Sequence, residues 1–453
     1  MNNKVYWKIA FAYIGVIVGA GLSSGQDLLQ YFLSFGRQGL WGVALLGMLN
    51  IVFGRIMVTF GCYYRADNHE EVFSEITHPV ITRILDVVLF IGSFVMGFVM
   101  VAGAGSNLQQ EFSISPWLGS LICSVMIVVV AFLDFDKITS VLGIFTPVMI
   151  VMILLITAHT FIGKTYDFAA LEAAARTITP AMKNVWISVI NYYSLCAMTG
   201  VSMAFILGGS MVRIGNAEKG GLLGGLLIGI IVMAASLSLY ANIDVVKDAD
   251  MPMLAIVNHI SPVLSFIYAL TVFALIFNTA FSLYYSIARR FGGGNRRRMR
   301  ILMIGIVAAG YLCSFGGFKK LIGVMYPILG YMGMLLLVIL LAGWIRERRN
   351  IVFEKSARRK MLQISLKKQD PDRKASKEEK ELFHSLGEMS PADTESLKKD
   401  VREMAKDILS STDDSKAYAE KELSVDDKKL KAEISRKSEP EDPSGSGPES
   451  PAG

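Results

Sequence analysis

The sequence lacks the common catalytic motifs and has few cysteines. It contains no Walker loop and no HExxH, short motifs that place phosphate-binding or catalytic groups. The four cysteines are scattered, without a CxxC pair, at Cys62, Cys123, Cys196 and Cys313. This spacing indicates neither a disulfide framework nor a metal site. The sequence therefore argues against an enzyme and against an ATP-driven machine.

Charged residues are scarce in the first 346 residues. That part holds only 37 of the 84 charged side chains, whereas residues 347–453 hold 47. The sequence therefore predicts a membrane-embedded body at 1–346 and a solvated tail at 347–453. The tail carries 23 basic and 24 acidic residues, so it is not a basic arm for nucleic acid.

Ten apolar segments approach the length needed to cross a bilayer. They are 5–34, 38–63, 81–107, 117–134, 138–162, 185–210, 218–242, 261–288, 300–315 and 320–345. All five tryptophans lie near an end of one of these segments, as expected of an interfacial aromatic belt. We therefore predict an all-α polytopic membrane protein with ten transmembrane helices.

Lysine and arginine in the loops set the orientation. With a cytoplasmic N-terminus, the inside loops hold thirteen basic residues and the outside loops seven. This excess predicts a multi-pass protein of the cell membrane with both termini in the cytoplasm.

Spans one and six share an unusual feature near mid-depth. "GVIVGAGLSSGQDLL" in span one and "INYYSLCAMTGVSMA" in span six each carry a small, polar, glycine-containing stretch. Interrupted helices at matching positions of two halves indicate a transporter built from repeats. Five helices per repeat, 5–163 and 182–346, require the second repeat to be inverted in the membrane. The alternative is that the small residues serve close helix packing.

A broken membrane helix frees backbone groups that only a polar cavity can satisfy. The freed N–H groups of a half-helix suit an anion such as a carboxylate, and the freed carbonyls of the other half suit a cation. The break predicted in span one therefore indicates a binding site.

These residues resemble a known family. "GAGLSSGQD" resembles the first-helix break of the amino acid–polyamine–organocation superfamily, and "FAYIGVIVGAGLSSGQDLLQYFLSFG" resembles the start of the YkvI-type bacterial membrane proteins. The resemblance covers about residues 5–346 and not the tail. It implies the LeuT-type fold, a 5+5 inverted repeat with broken helices 1 and 6 around the substrate.

The resemblance also implies the site residues. Gly19, Ala20 and Gly21 would form the carboxylate-binding turn. The further substrate-binding candidates are Ser23, Ser24, Gln26, Tyr193, Ser194, Cys196, Thr199 and Gly200. The sodium candidates are the carbonyls of Gly15 and Val18 with the span-eight side chains Asn278, Thr279 and Ser282, although Asn278 stands where the family commonly has Thr or Ser.

Asp27 follows the break directly and leaves three interpretations open. It binds a substrate amine, it carries a proton or acts as a gate, or it only favours the start of the second half-helix. Two further charges, Arg55 and Asp86, lie toward the inner ends of adjacent spans and are expected to pair with each other. The stretch "VVKDADMPMLAIVNHI" between spans seven and eight suits either a lid helix or an ordinary connector.

The tail is expected to be partly helical and then disordered. Leu397, Val401, Met404 and Ile408 are spaced as on one face of a helix, a candidate site for a cytoplasmic protein partner. The basic start of the tail suits anionic lipid, and the last stretch, "SEPEDPSGSGPESPAG", has the composition of a disordered segment.

The function that these features predict is ion-coupled secondary transport. The expected solute is a small organic molecule, amino-acid-like, and the expected coupling ion is sodium, with no other cofactor. The alternative from another class is a membrane sensor or scaffold that signals through the tail. An ion channel fits less well, because broken helices imply an occluded site rather than a lined pore.

Overall fold

The computed structural model describes residues 2–17, 23–132, 145–293, 295–369, 375–410, 423 and 425–438. Within these residues the regular secondary structure is helical throughout, as predicted. The chain forms two compact units. The membrane body comprises Asn3–Met211 and Asn216–Ile345, and the tail unit comprises Met1–Asn2, Val212–Gly215 and Arg346–Gly453.

The helices of the body and the start of the tail follow one another with short connections. They are α1 (Asn2–Ile17), α2 (Gln26–Tyr31), α3 (Arg37–Tyr64), α4 (His69–Ile76), α5 (Pro79–Phe112), α6 (Pro116–Val130), α7 (Phe145–Phe161), α8 (Phe168–Ala175), α9 (Val185–Gly209), α10 (Ile214–Ala241), α11 (Ile243–Val246), α12 (Pro252–Ile260), α13 (Pro262–Gly292), α14 (Arg296–Ser314) and α15 (Phe318–Gln369). A short 3₁₀ helix, Leu33–Phe35, follows α2.

Six of the described helices, α3, α5, α9, α10, α13 and α15, are long and apolar enough to cross a membrane. Two shorter apolar helices, α6 and α7, coincide with the predicted spans four and five. Large apolar side chains such as Trp41 and Val263 are exposed on these helices, as expected of surfaces that face lipid. The chain is therefore a multi-pass membrane protein.

Gly25 lies in span one, directly before the start of α2 at Gln26. It has a left-handed conformation with φ of 76°, so the backbone changes direction there. A Cβ atom at Gly25 would also lie 2.8 Å from Cγ of Met253. Position 25 therefore favours glycine for both conformation and space. The predicted ligands Val18, Gly19, Ala20 and Gly21 lie outside the described residues.

The predicted interruption of span six is wrong, because α9 is one unbroken helix from Val185 to Gly209. The Ser194 hydroxyl donates to the Ile190 carbonyl at 2.6 Å, and the Thr199 hydroxyl donates to the Leu195 carbonyl at 3.2 Å. These polar side chains are thus satisfied within the helix itself. A mid-helix glycine costs only about 1 kcal/mol, which packing of a buried helix readily offsets.

The predicted ion pair between Arg55 and Asp86 is also wrong. Arg55 pairs with Glu218, at the start of α10, and Asp86 pairs with Arg290 at 3.2 Å. The helices α3 and α10 lie so close together beside Arg55 that a Cβ atom at Gly221 would collide with the backbone of α3. Glu218, one turn before Gly221, is therefore the carboxylate within reach of Arg55.

The tail unit has its own hydrophobic core, which the sequence did not predict. It contains α16 (Lys377–Glu388), α17 (Thr394–Leu409) and α18 (Asp427–Ser438) together with the last part of α15. Leu397 and Val401 of α17 are fully buried, as are Met361 and Leu386. The helical prediction for this segment is confirmed, but α17 is not an isolated helix. The core forms because α15 continues past the apolar span and presents a second apolar face.

A buried ion pair lies inside the tail unit. Arg358 Nε donates to Glu354 Oε1 at 2.7 Å, and both side chains are at most 2% exposed. The hydroxyl of Ser390 donates to the same carboxylate oxygen at 2.6 Å. Such a pair is held together because either charge alone would be costly to bury.

Candidate functional site

The start of α2 carries a buried carboxylate that contacts α9. Asp27 is 1% exposed, and its Oδ2 accepts a hydrogen bond from the Tyr192 hydroxyl. Its Oδ1 accepts a hydrogen bond from the Leu28 N–H at 3.0 Å. Among the described residues of the membrane body, Asp27 is the one buried charged side chain.

Further hydrogen bonds tie α2 to α9 and α9 to α15. The Ser188 hydroxyl donates to the Tyr31 carbonyl at 2.6 Å, and the Tyr31 hydroxyl donates to Asn191 Oδ1 at 3.3 Å. Asn191 Nδ2 in turn donates to the Pro327 carbonyl at 2.9 Å. Because two of these contacts join α2 to α9 and the third joins α9 to α15, the network fixes the position of α2 within the body.

The residues just before α2 are buried polar groups, as the predicted site requires. The Tyr268 hydroxyl of α13 donates to the Ser23 carbonyl at 2.7 Å, and the Gln26 N–H donates to the Ser24 hydroxyl oxygen at 3.2 Å. The Gln26 side chain is 1% exposed, and neither atom of its amide has a hydrogen-bond partner among the described residues. Gln26 is therefore available to a ligand.

Three buried tyrosines lie near this site. Tyr13 of α1, Tyr193 of α9 and Tyr326 of α15 are at most 1% exposed. The Tyr326 hydroxyl has no partner within the described residues, and the hydroxyls of Tyr13 and Tyr193 lie beside each other. Cys196 lies near all three tyrosines, so these side chains belong to one cluster. Buried polar atoms are almost always hydrogen-bonded in proteins, and a cluster with so few partners suits a bound polar solute or water.

The predicted substrate-binding residues divide into two groups. Ser23, Ser24 and Gln26 are buried beside α9, and Tyr193 and Cys196 lie in the tyrosine cluster. The hydroxyls of Ser194 and Thr199 are bonded within α9, and Gly200 is buried in the same helix. The first group combines buried position with polar groups that a solute can use.

The predicted sodium ligands are distributed over α1 and α13. Gly15 is exposed near the end of α1, and the Thr279 hydroxyl donates to the Leu275 carbonyl at 2.9 Å. Asn278 has a buried amide oxygen without a partner among the described residues, and Ser282 is half-buried one turn further on. A hydroxyl that donates within its helix still has lone pairs for a cation.

A second helical segment covers the start of α2. Gln110 of α5 bonds both backbone groups of Met251, donating to its carbonyl at 2.9 Å and accepting from its N–H at 3.0 Å. Met253, in the first turn of α12, is fully buried and lies against Gly25. The segment between spans seven and eight thus packs against Gly25, the residue that precedes α2.

Charged residues also cluster at the α4 end of the body. Arg290 Nη2 lies 2.9 Å from Glu70 Oε1 and 3.2 Å from Asp86 Oδ2, and His69 Nε2 lies 3.3 Å from Asp86 Oδ1. Burial lowers the pKa of the His69 imidazole, although the carboxylates of Asp86 and Glu70 act to raise it. The ligand atoms of His69, Glu70 and Asp86 are close enough for a metal ion. Because Arg290 already pairs with both carboxylates, the cluster fits an ion-pair network better than a metal site.

The sequence did not identify Tyr192, Asn191 and Tyr326 as site residues. The only signal was the pair of adjacent tyrosines, Tyr192 and Tyr193, in a predicted membrane helix. Adjacent residues on a helix point about 100° apart. Which tyrosine faces Asp27 therefore depends on the rotation of α9, which the sequence alone does not fix.

Comparison with known proteins shows which proteins this chain is related to. No protein-family model matches the chain. The uncharacterized membrane protein YkvI of Bacillus subtilis (strain 168) is 24% identical over 344 residues, which span 76% of this chain and 97% of YkvI. This chain is a homologue of YkvI. The YkvI-type relationship predicted from the sequence is therefore confirmed.

Two further proteins are similar to this chain. The uncharacterized protein YyaD of Bacillus subtilis (strain 168) is 24% identical over 335 residues, which span 72% of this chain and 94% of YyaD. A structure of the inward-facing conformation of Mhp1 covers 76% of this chain and 77% of its own, at 13% identity and a TM-score of 0.49. YkvI matches almost from end to end, which leaves about a quarter of this chain without a counterpart there.

Proposed function

We propose that the protein is an ion-coupled secondary transporter of a small organic solute, amino-acid-like, that works by alternating access. The observation that carries this proposal is the buried polar cluster around α2, where the Gln26 amide and the Tyr326 hydroxyl have no partner among the described residues. In a body made of apolar helices, such a cluster suits a binding site that is occluded from both sides.

The proposed architecture is the LeuT-type arrangement of ten spans in a 5+5 inverted repeat. The left-handed Gly25 directly before α2 supports it, because a helix interrupted inside the membrane frees backbone groups only where they line a cavity. The solute carboxylate then binds at Gly19, Ala20 and Gly21. The remaining contacts come from the buried side chains beside Gly25 and on α9.

Sodium is the proposed coupling ion. Backbone carbonyls of a broken helix and oxygen atoms of a facing helix provide the hard ligands that sodium prefers. In this chain the carbonyls belong to Gly15 and Val18, and the facing atoms to Asn278, Thr279 and Ser282. Asp27 is the proposed proton carrier or gate if a proton replaces sodium.

A threonine pair on α13 provides a matched test. Thr279 and Thr271 each donate their hydroxyl to a carbonyl of the preceding turn, at 2.9 and 2.8 Å. Thr279→Val removes a proposed sodium ligand, whereas Thr271→Val removes a similar hydroxyl outside the ion site. We expect Thr279→Val to weaken sodium-dependent uptake at least about tenfold, the loss of one good ligand, and Thr271→Val to leave it unchanged. Equal uptake in sodium and choline would contradict the proposal.

The proposed location is the cell membrane, with both termini in the cytoplasm. The support is the excess of lysine and arginine in the loops assigned to the inside. The proposed partners are the lipid bilayer, the solute and, for the tail, a cytoplasmic protein.

A sensor or scaffold is the second candidate, favoured by the folded tail unit. A unit with its own core and a buried ion pair is more than a solvated linker. Truncation after Arg346 separates the two functions. A transporter keeps solute-dependent stabilisation and uptake after truncation, whereas a sensor loses its cytoplasmic output while still binding the solute.

A further inference from the structure

Among the residues that the structure describes, no positively charged side chain contacts the carboxylate of Asp27. Its described contacts are two neutral donors, the Tyr192 hydroxyl and the Leu28 N–H. The adjoining residues 18–22, Val-Gly-Ala-Gly-Leu, carry no charged side chain either. A buried carboxylate without a counter-charge is costly, so the site favours a ligand that brings positive charge.

Both oxygens of the Asp27 carboxyl group take part in hydrogen bonds. Oδ1 accepts from the Leu28 N–H, and Oδ2 bonds the Tyr192 hydroxyl, a group that can donate or accept. An ionised carboxyl group can use both of these contacts, and a bound cation would supply the charge that they do not.

The surroundings of Asp27 are aromatic. The Tyr192 ring lies 5.2 Å from the Tyr31 ring and 5.4 Å from the Phe32 ring, centroid to centroid. Tyr326 lies near the carboxylate, and its buried hydroxyl has no partner among the described residues. Ring faces attract organic ammonium groups, whereas sodium needs several hard oxygen ligands.

Given the transport function proposed above, we infer that Asp27 binds the ammonium group of the solute and makes a positive charge, rather than a carboxylate, the feature that the site requires. Tyr31, Tyr192 and Tyr326 form the aromatic wall around that group. An amino acid then binds through its ammonium end at Asp27, and an amine that lacks the carboxylate binds as well. Asp27 is a specificity-determining residue in this arrangement.

Matched sets of three compounds test this inference on the purified full chain. One set is phenylalanine, 2-phenylethylamine and 3-phenylpropanoate, and another is leucine, 3-methylbutylamine and 4-methylpentanoate. Each set keeps the carbon skeleton and removes either the carboxylate or the ammonium group. Binding is measured as a shift in melting temperature and then by calorimetry. In at least one set we expect the amine to bind within about tenfold of the amino acid and the acid not to bind.

Two variants complete the test. Asp27→Asn keeps the shape of the side chain and removes the charge, and we expect amine affinity to fall at least about a hundredfold. Asp86→Asn is the control, because Asp86 pairs with Arg290 away from this cluster and should not alter amine binding. If Asp27→Asn does not fold, the comparison of acid and amine on the wild-type protein still decides the question.

Several results would overturn the inference. Acids that bind where amines do not would reverse the charge preference, and unchanged amine binding in Asp27→Asn would remove Asp27 from the site. If Asp27→Asn keeps sodium-dependent uptake of an amino acid, the inference fails while the transport proposal stands. If no compound of any set binds the wild-type protein, the inference and the amino-acid-like solute fail together.

Discussion

Replacing Tyr192 by phenylalanine should destabilise the protein, whereas the same change at the adjacent Tyr193 should not. Both side chains are buried on α9, but only the Tyr192 hydroxyl donates to the Asp27 carboxylate. A hydrogen bond to a charged group contributes about 1.5–3 kcal/mol. Tyr192→Phe should lower the free energy of unfolding by this amount, because it leaves the carboxylate with the Leu28 N–H alone.

Tyr193→Phe is the matched control. Its hydroxyl lies beside the neutral Tyr13 hydroxyl and contacts no charged group, so removing it should change the free energy of unfolding by no more than about 0.5 kcal/mol, the low end for a neutral hydrogen bond. The assay is equilibrium unfolding in detergent, followed by tryptophan fluorescence. A double-mutant cycle with Asp27→Asn isolates the coupling between the two side chains. Equal losses for Tyr192→Phe and Tyr193→Phe, or zero coupling in the cycle, would refute this assignment.

Three further predictions address the break, the tail and the topology. Gly21→Leu should abolish solute binding in a calorimetric assay while expression is retained, because a side chain would fill the space where backbone meets ligand; unchanged binding would assign the glycine to packing. Arg358→Met should destabilise the tail unit by about 3–5 kcal/mol, since it leaves Glu354 buried and unpaired. Hydrogen exchange of the full chain measures this loss, and unaltered protection of α17 would contradict it. A cysteine at Lys219 should react only from the cytoplasm and one at Lys247 only from outside; labelling of both from one side would disprove the topology.

The helices of the body were predictable because hydropathy is a local property. Span two was predicted at 38–63 and the helix is Arg37–Tyr64, and span seven was predicted at 218–242 and the helix is Ile214–Ala241. Each segment is bounded by polar or interfacial residues that the sequence displays directly. The length of the apolar run decides whether a segment forms a membrane-spanning helix, and tertiary contacts do not change this.

The break in span six could not be judged in the same way. Small and polar residues occur both where a helix is interrupted and where it packs closely. In α9 the hydroxyls of Ser194 and Thr199 find acceptors one turn earlier, and the helix stays intact. Pairing of distant residues was equally inaccessible, since Arg55 meets Glu218 and Asp27 meets Tyr192 only through the rotation and packing of whole helices.

The core of the tail was missed for a different reason. The spacing of Leu397 and Val401 predicted a helix, but its packing partner lies in a segment dominated by charge. Phe353, Ala357 and Met361 recur at intervals of four in that segment and form one apolar face of α15. Charge at the other positions concealed this periodicity, so the tail was interpreted as solvated.

The most direct test of the transport proposal is the charge movement that the purified protein produces in a membrane. Proteoliposomes on a solid-supported electrode are exposed to a mixture of amino acids in sodium buffer and then in choline buffer. A sodium-coupled transporter gives a transient inward current that depends on sodium and is reduced by Thr279→Val but not by Thr271→Val. The absence of any amino-acid-induced current, or a current of equal size in choline, would contradict sodium-coupled transport.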